Sequence, residues 1–116
     1  MAARGISFGW ALPAYAAQAD VWKGEAVTLT FTRASATTIS GWTITFTLKH
    51  FHGDASATLT VSGTVTDASN GVFTVALTAA QTALTVGRYV FDVWRTDSGS
   101  ETQMATGYLD ILERIR

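Results

Sequence analysis

The amino-acid sequence predicts an all-β fold, an antiparallel β-sandwich of about seven short strands. From residue 19 onward, apolar and polar residues alternate. This period of two is typical of strands that bury one face. Turn signals separate the alternating segments at intervals of about 8 to 12 residues, the spacing of a sandwich or a small barrel. No segment keeps a helical period for more than a turn or two.

The alternation identifies the strands in chain order. In the segment AVTLTFT, Val27, Leu29 and Phe31 share one face, and threonines occupy the other. The segment GWTITFTLK, from residue 41 to 49, repeats this pattern. Threonine is β-branched and tolerates a half-solvated sheet face, so these strands have one wet side. Further strands are predicted around ADVWK (19–23) and over residues 57–66, 72–78, 88–95 and 104–113.

Glycine marks the connections between the strands. Asn70-Gly71 is the strongest short signal for a hairpin, because both residues tolerate a positive φ angle. Gly63 lies inside the predicted strand 57–66 and indicates a bulge or a division into two shorter strands.

The segment around residues 79–93 indicates which type of β-sandwich the chain forms. A short crossover leads into a strand, and Leu84, Gly87 and Tyr89 have the spacing of a tyrosine corner. In that motif the tyrosine hydroxyl bonds back to the backbone upstream. An ordinary core tyrosine after a turn is the alternative. Both interpretations favour an immunoglobulin-like sandwich.

Length, charge and cysteine content bound the class of protein. At 116 residues the chain suits one domain with a single modest core. The formal net charge of -1 argues against nucleic-acid binding, which needs basic residues to neutralise phosphates. The absence of cysteine excludes a disulfide framework, and no apolar run approaches the roughly 20 residues that span a bilayer. We expect neither a nucleic-acid partner nor a membrane partner.

The N-terminal segment, residues 1–18, is predicted to be an extended arm that precedes a sandwich domain of residues 19–116. Phe8, Trp10 and Tyr15 in this arm need a surface that buries them. The alternative is a secretory signal peptide, because the arm runs into a small-residue sequence, Ala-Gln-Ala, that resembles a cleavage site. Glycine, serine and proline interrupt the apolar region, which favours the arm.

The two histidines, His50 and His52, raise the question of a metal site. Their even numbering continues the inward row of the preceding strand, which places both at the rim of the sandwich. Side chains two residues apart on one face are about 7 Å apart, a distance that a shared metal can bridge. A zinc site needs a third ligand, and Asp54 lies beyond a glycine turn. We therefore predict no metal and no cofactor, and we interpret the histidines as rim residues of an interface.

Catalytic signatures are absent from the sequence, which contains no nucleophile elbow, phosphate-binding loop or dinucleotide fingerprint. A small sandwich also leaves little room for a substrate cleft. We therefore predict that the protein is not an enzyme. The carboxylates are expected to be solvated turn residues, most of them next to turns: Asp20, Glu25, Asp54, Asp67, Asp97 and Glu101.

Trp94 has the parity opposite to Tyr89, Phe91 and Val93 in its strand, which places it on the outer face. An outward tryptophan is an anchor for a protein interface or a platform for a sugar ring. Both interpretations stay open at this point.

The chain resembles the small immunoglobulin-like domains of tailed-bacteriophage virions, and it is similar to the N-terminal domain of the baseplate upper protein family. The resemblance covers about residues 19–113, in the segments ADVWKGEAVTLTFT and LTAAQTALTVGRYVFDVWRTDSGSETQMATGYLDIL. The matching elements are Asp20, Gly24 and Glu25, the AAQTAL crossover, the Gly87-x-Tyr89-x-Phe91-Asp92 strand, and Gly107 in the closing strand.

The resemblance implies a non-enzymatic virion protein, assembled in the host cytoplasm, that docks to capsid, tail or baseplate subunits. We also expect a homo-oligomer or another symmetric assembly. A head decoration or cement protein and a tail or baseplate accessory both fit, and a secreted carbohydrate-binding sandwich is the alternative. The candidate interface residues are Phe8, Trp10, Tyr15, His50, His52 and Trp94.

Overall fold

A computed structural model describes residues 4–10, 15–33, 38–51, 57–97, 99 and 101–113. In these residues nine strands form two sheets, one of four strands and one of five. The strands are β1 (Arg4–Trp10), β2 (Tyr15–Trp22), β3 (Val27–Arg33), β4 (Ile44–Lys49), β5 (Leu59–Ser62), β6 (Thr64–Asp67), β7 (Val72–Leu77), β8 (Gly87–Arg95) and β9 (Thr102–Leu112). A single turn of 3-10 helix, Ala68–Asn70, precedes β7. This part of the chain contains no helix long and apolar enough to cross a lipid bilayer.

The strand order is that of an immunoglobulin sandwich. In that fold strands A, B, E and D form one sheet, and strands C, F and G lie in the other. Here the four-stranded sheet has the order β1-β3-β7-β6, and the five-stranded sheet has the order β2-β9-β8-β4-β5. The predicted fold class is therefore confirmed. The pairs β1–β3 and β2–β9 are parallel, and the other neighbouring strands are antiparallel.

The structure differs from the predicted arm over residues 1–18. Where this segment is described, it forms β1 and the beginning of β2, so it belongs to the two sheets. The boundary proposed at residue 18 falls inside β2. The physical reason is that β3 and β9 would otherwise present a row of unpaired backbone groups at a sheet edge. An extended chain satisfies those groups, and it does so here with parallel pairing.

Aromatic stacking within each sheet fills the core. Phe31 of β3 stacks on Phe73 of β7 with ring centroids 4.9 Å apart, and Phe46 of β4 stacks on Phe91 of β8 at 5.5 Å. Burying one such side chain contributes about 1.5 to 3 kcal/mol. The buried apolar residues that form this core are Val21, Val27, Leu29, Phe31, Ile39, Ile44, Phe46, Leu48, Phe73, Val75, Leu77, Tyr89, Phe91, Val93, Met104, Ala105, Leu109 and Ile111.

Gly63 allows the chain to pass from one sheet to the other. It separates β5, at the edge of the five-stranded sheet, from β6, at the edge of the four-stranded sheet. Of the two outcomes that the sequence allowed, the division into two strands is the one observed. The Gly63 amide donates to the carbonyl of Ile44 at 2.8 Å. A Cβ atom at this position would lie 3.0 Å from Ile44 Cγ2, so a side chain would force the neighbour to move.

Tyr89 fixes the crossover between β7 and β8. Its hydroxyl donates to the carbonyl of Thr85 at 2.7 Å, the upstream backbone bond that a tyrosine corner makes. Burial raises the pKa of the phenol, in keeping with a hydroxyl that stays protonated. Leu84 packs against the core, and Gly87 has a φ angle of +152°, which side chains rarely adopt. The buried Thr82 hydroxyl donates to the carbonyl of Glu25 at 2.7 Å and ties the crossover to the β2–β3 turn.

We predict that Tyr89→Phe lowers the free energy of unfolding by about 1 kcal/mol, because the ring stays while the Thr85 carbonyl loses its partner. Urea denaturation followed by tryptophan fluorescence measures this change. Tyr108→Phe is the matched control, since that ring is exposed, and it is expected to leave the midpoint unchanged. Equal midpoints for Tyr89→Phe and the wild type would contradict a stabilising role for the bond.

Candidate functional site

The exposed large apolar side chains that the structure describes are associated with the five-stranded sheet. Among the residues whose side chains are described, every one of them belongs to a strand of the five-stranded sheet or lies within two residues of one. No described side chain of the four-stranded sheet belongs to this exposed set. Phe51, two residues after β4, is the most exposed, at 71%. The full set is Trp22, Phe51, Val86, Trp94 and Tyr108.

The alternation of β8 explains why part of this set faces outward. Tyr89, Phe91 and Val93 are buried in the core, so the residues between them point to the opposite face of the sheet. Trp94 is exposed there, on the face that its sequence parity predicted. Tyr108 joins this outer face because it pairs directly with Val90 across the β8–β9 ladder. We call the outer surface of the five-stranded sheet, with the residues that flank its strands, the docking face.

A depression lies at one end of the docking face. It has a volume of about 370 Å³, and its lining is His50, Phe51, Arg88, Val90 and Tyr108. Two aromatic rings, an imidazole and a valine give it a mainly apolar wall. We call this depression the groove. A concave apolar wall with few polar groups is the usual character of a site that receives another molecule's side chain.

Arg88, the positively charged residue in the groove, forms an ion pair with Asp110. The Arg88 guanidinium forms a two-pronged ion pair with Asp110, with Nε to Oδ1 at 2.9 Å and Nη2 to Oδ2 at 3.1 Å. The same guanidinium lies over the Tyr108 ring, 4.7 Å from its centroid. Arg88 lowers the pKa of Asp110, and Gln18 donates a further hydrogen bond to that carboxylate at 3.4 Å. The ion pair therefore holds the Tyr108 ring in place and leaves the groove close to neutral.

His50 lies at the rim, but it is exposed rather than turned inward as its parity predicted. The reason is that β4 ends at Lys49, so strand alternation no longer fixes the next side chain. The imidazole covers the Tyr89 ring instead, with centroids 4.4 Å apart. His52 and Asp54 lie outside the described residues. Within the described part of the chain, no group of three or more His, Asp or Glu side chains is placed to hold a metal ion.

The backbone positions of three other predicted interface residues lie in β1 and β2. Phe8 and Trp10 lie in β1, which belongs to the four-stranded sheet. Tyr15 begins β2, at the edge of the five-stranded sheet. Of the predicted interface residues whose side chains the structure describes, His50 lines the groove and Trp94 is exposed on β8.

Sequence reasoning missed Phe51, Arg88, Val90 and Tyr108, although a signal for three of them was present. In β8 and β9 the alternate positions are core residues, so parity places Arg88, Val90 and Tyr108 on the outer face. Their closeness depends on the β8–β9 register, which pairs positions 18 residues apart in the chain, Val90 with Tyr108. Phe51 follows the end of β4, where alternation carries no information.

A second cluster stabilises the end of β8 that carries Trp94. Arg95 Nε contacts Asp97 Oδ2 at 2.8 Å, and the Thr43 amide donates to the same carboxylate oxygen at 2.9 Å. The guanidinium lies 4.4 Å from the centroid of the Trp42 ring. Trp42, predicted to lie in the inward row of β4, precedes that strand and is half-buried. These contacts, with the Arg95 bond as the largest cause, lower the pKa of Asp97 to about 2.

Turn carboxylates that were expected to be merely solvated also make specific bonds. Asp67 accepts hydrogen bonds from Ser69 Oγ at 3.1 Å and Asn70 Nδ2 at 2.9 Å. These bonds lower the pKa of Asp67, and they hold the β6–β7 connection in its turn. The role of Asp67 and Asp97 in this structure is to stabilise turns.

The comparisons with known proteins give no family. No model of a known protein family matches the chain, and no curated protein matches it. Among solved structures, the chain is similar to reduced rusticyanin, with 12% sequence identity and a TM-score of 0.44, over 97% of this chain and 82% of that one. A likeness at this level carries no argument about function.

We predict that Asp97→Asn destabilises the protein at neutral pH but not at very low pH. The folded-state pKa of Asp97 is about 2, below its ordinary 3.8, so the carboxylate contributes stability above pH 3.8. This contribution is lost as the pH falls through about 2. The difference in melting temperature between wild type and variant should therefore shrink over this range. Calorimetry across the range measures it, and a difference that does not change with pH would contradict the account.

Proposed function

We propose that this chain is a non-enzymatic structural protein of a tailed bacteriophage particle, which docks to other virion proteins. A head decoration or cement subunit and a tail or baseplate accessory are both consistent with it. The sequence resemblance over about residues 19–113 supports the virion assignment. The immunoglobulin-like sandwich is the fold that this resemblance implies.

The single observation that carries the docking role is the grouping of exposed apolar side chains on the five-stranded sheet. Scattered exposed hydrophobic residues are normal, whereas a grouped set on one face marks an interaction site. Tryptophan and tyrosine are the residues that most often act as energetic anchors of interfaces. Trp94 and Tyr108 have this character here, because both project from strands whose opposite faces are buried.

A carbohydrate-binding sandwich is the second candidate, and the same exposed aromatic rings favour it. Sugar rings pack on exposed tryptophan or tyrosine faces, and Trp94 offers such a face. Secretion by cleavage after Ala19 would remove β1 with its parallel pairs and the first part of β2, and leave only three of the β2–β9 pairs, those of Asp20, Val21 and Trp22. The virion docking role does not require these strands to be removed, so we favour it over carbohydrate binding.

Quantitative mass spectrometry of purified particles tests the proposed function. We expect the protein in a fixed copy number per particle, because docking in a symmetric assembly fills equivalent sites. Recovery of the protein only from the lysate supernatant would contradict the proposal. Deletion of residues 1–18 is not a suitable test, because it removes β1 and part of β2 and would disturb the fold.

Trp94→Ala distinguishes the two candidates when it is added back to particles that lack the protein. We expect occupancy to fall at least about tenfold if Trp94 is an interface anchor. Thr32→Ala, an exposed truncation on the four-stranded sheet, is the matched control and should bind normally. Glycan binding that Trp94→Ala abolishes, together with normal particle occupancy, would favour the carbohydrate-binding alternative.

A further inference from the structure

We propose that the Asn70–Gly71 pair is a latent deamidation site, which the folded β6–β7 turn holds in an unreactive arrangement through the Asp67 side chain. The inference does not rest on the proposed function, because the turn joins two strands of the four-stranded sheet and lies away from the docking face. The reaction consumes only water, so it needs no partner and no cofactor.

The turn requires the same residue that makes the pair reactive. Gly71 ends the 3-10 turn with a φ angle of +69°, a left-handed conformation that glycine adopts without strain. Because glycine has no side chain, its amide nitrogen is also the least hindered nucleophile that can follow an asparagine. The connection between β6 and β7 therefore carries a chemically reactive pair as a consequence of its geometry.

The reaction begins when the Gly71 nitrogen loses its proton to solvent base and bonds to Asn70 Cγ. The Cγ–Nδ2 bond then breaks, and ammonia leaves with a proton from water. Water opens the resulting five-membered succinimide at one of its two carbonyl carbons. Opening at Cγ gives aspartate, and opening at the main-chain carbonyl carbon gives isoaspartate. The net change exchanges an amino group for a hydroxyl group, without oxidation or reduction.

The folded turn engages both reacting groups in other bonds. Asn70 Nδ2 donates to Asp67 Oδ2 at 2.9 Å, which holds the carboxamide against a residue at the start of the turn. The Gly71 amide donates to the Ala68 carbonyl at 3.3 Å, and Gly71 is buried although Asn70 is exposed. Rotation of the carboxamide toward the Gly71 nitrogen has to break the first bond, and loss of the amide proton has to break the second.

The charge of Asp67 opposes the reaction as well. The bond from the Asn70 side chain, followed by that from Ser69, lowers the pKa of Asp67, so this carboxylate is ionised at neutral pH. As the ring closes, negative charge develops on the Gly71 nitrogen and then on the carboxamide oxygen. A carboxylate at hydrogen-bond distance from the carboxamide disfavours that charge.

The Ala68 carbonyl connects the turn to the core, which limits how often the turn opens. It accepts a second bond, from the Ile39 amide at 2.9 Å, and the Ile39 side chain is fully buried. Opening of the turn therefore disturbs the anchor of a core residue. We expect the Asn70–Gly71 pair to react only in local openings that have a free-energy cost.

Deamidation removes a bond that stabilises the turn. The aspartate product has no Nδ2 donor, and it places a second carboxylate beside Asp67, so a repulsion replaces an attraction. The isoaspartate product adds one carbon atom to the main chain just before β7 begins. Either product loosens the connection between β6 and β7.

Peptide mapping by mass spectrometry, during incubation at neutral pH, measures deamidation at residue 70. We expect the folded wild type to react at least about tenfold more slowly than the same chain unfolded in guanidinium chloride. Asp67→Ala should accelerate the reaction of the folded protein at least about threefold, because the carboxamide loses its acceptor. Ser69→Ala is the matched control, since it removes another donor to Asp67 and leaves the Asn70 bond, and it should react like the wild type.

Tyr89→Phe separates local opening from global unfolding, because it weakens a contact outside the turn. We expect it to leave the deamidation rate unchanged. Acceleration equal to that of Asp67→Ala would overturn the inference, since it would attribute the reaction to global unfolding. Equal rates in the folded and the unfolded wild type, or an Asp67→Ala rate equal to that of the wild type, would also overturn it.

Asn70→Asp reproduces one product and tests its effect on the turn. Its midpoint of urea unfolding at neutral pH should be lower than that of Asn70→Ala, because only the aspartate adds a charge beside Asp67. A midpoint equal to that of the wild type would overturn the contact assigned to these two side chains.

Discussion

The alternation of side chains along β8 is the constraint on which the rest of the structure depends. This strand lies at the centre of the five-stranded sheet, between β4 and β9. Its inward residues form part of the core, including the stack of Phe91 on Phe46. Its outward residues, Arg88, Val90, Asp92 and Trp94, form the middle of the docking face. Because a shift of one residue would exchange the two sets, the core and the candidate site are fixed by the same register.

Two groups of contacts hold β8 in that register. At its beginning, the Tyr89 hydroxyl and the buried Thr82 tie the crossover to its own backbone and to the β2–β3 turn. At its end, the bonds of Arg95 and Asp97 tie it to the chain before β4. Tyr89 of the first group also contacts the groove lining, because the His50 ring lies 4.4 Å from its own ring. The effect of both groups is to place the outward side chains on a rigid sheet, which reduces the entropy that a partner must overcome on binding.

The sequence was sufficient for the features that depend on local periodicity. The two-residue alternation predicted the sandwich, the inward rows of β3 and β4, and the outward position of Trp94. The division at Gly63 was one of the two outcomes inferred from a glycine inside a strand. The strand around residues 19–23 was predicted, but β1 and the first part of β2 could not be anticipated in the same way, because parallel pairing with β3 and β9 depends on which sheet edges are free. The groove required the register of β8 and β9, which is a long-range property.

The central claim is that the outer face of the five-stranded sheet is the surface through which this protein associates. Because the chain contains no cysteine, single cysteines introduced at Tyr108 and at Ala76 report the accessibility of the two sheets. The measurement is the rate of maleimide labelling in the free and the associated protein. The account predicts that association slows labelling at position 108 and leaves position 76 unchanged. Slower labelling at position 76, with position 108 still reactive, would contradict it.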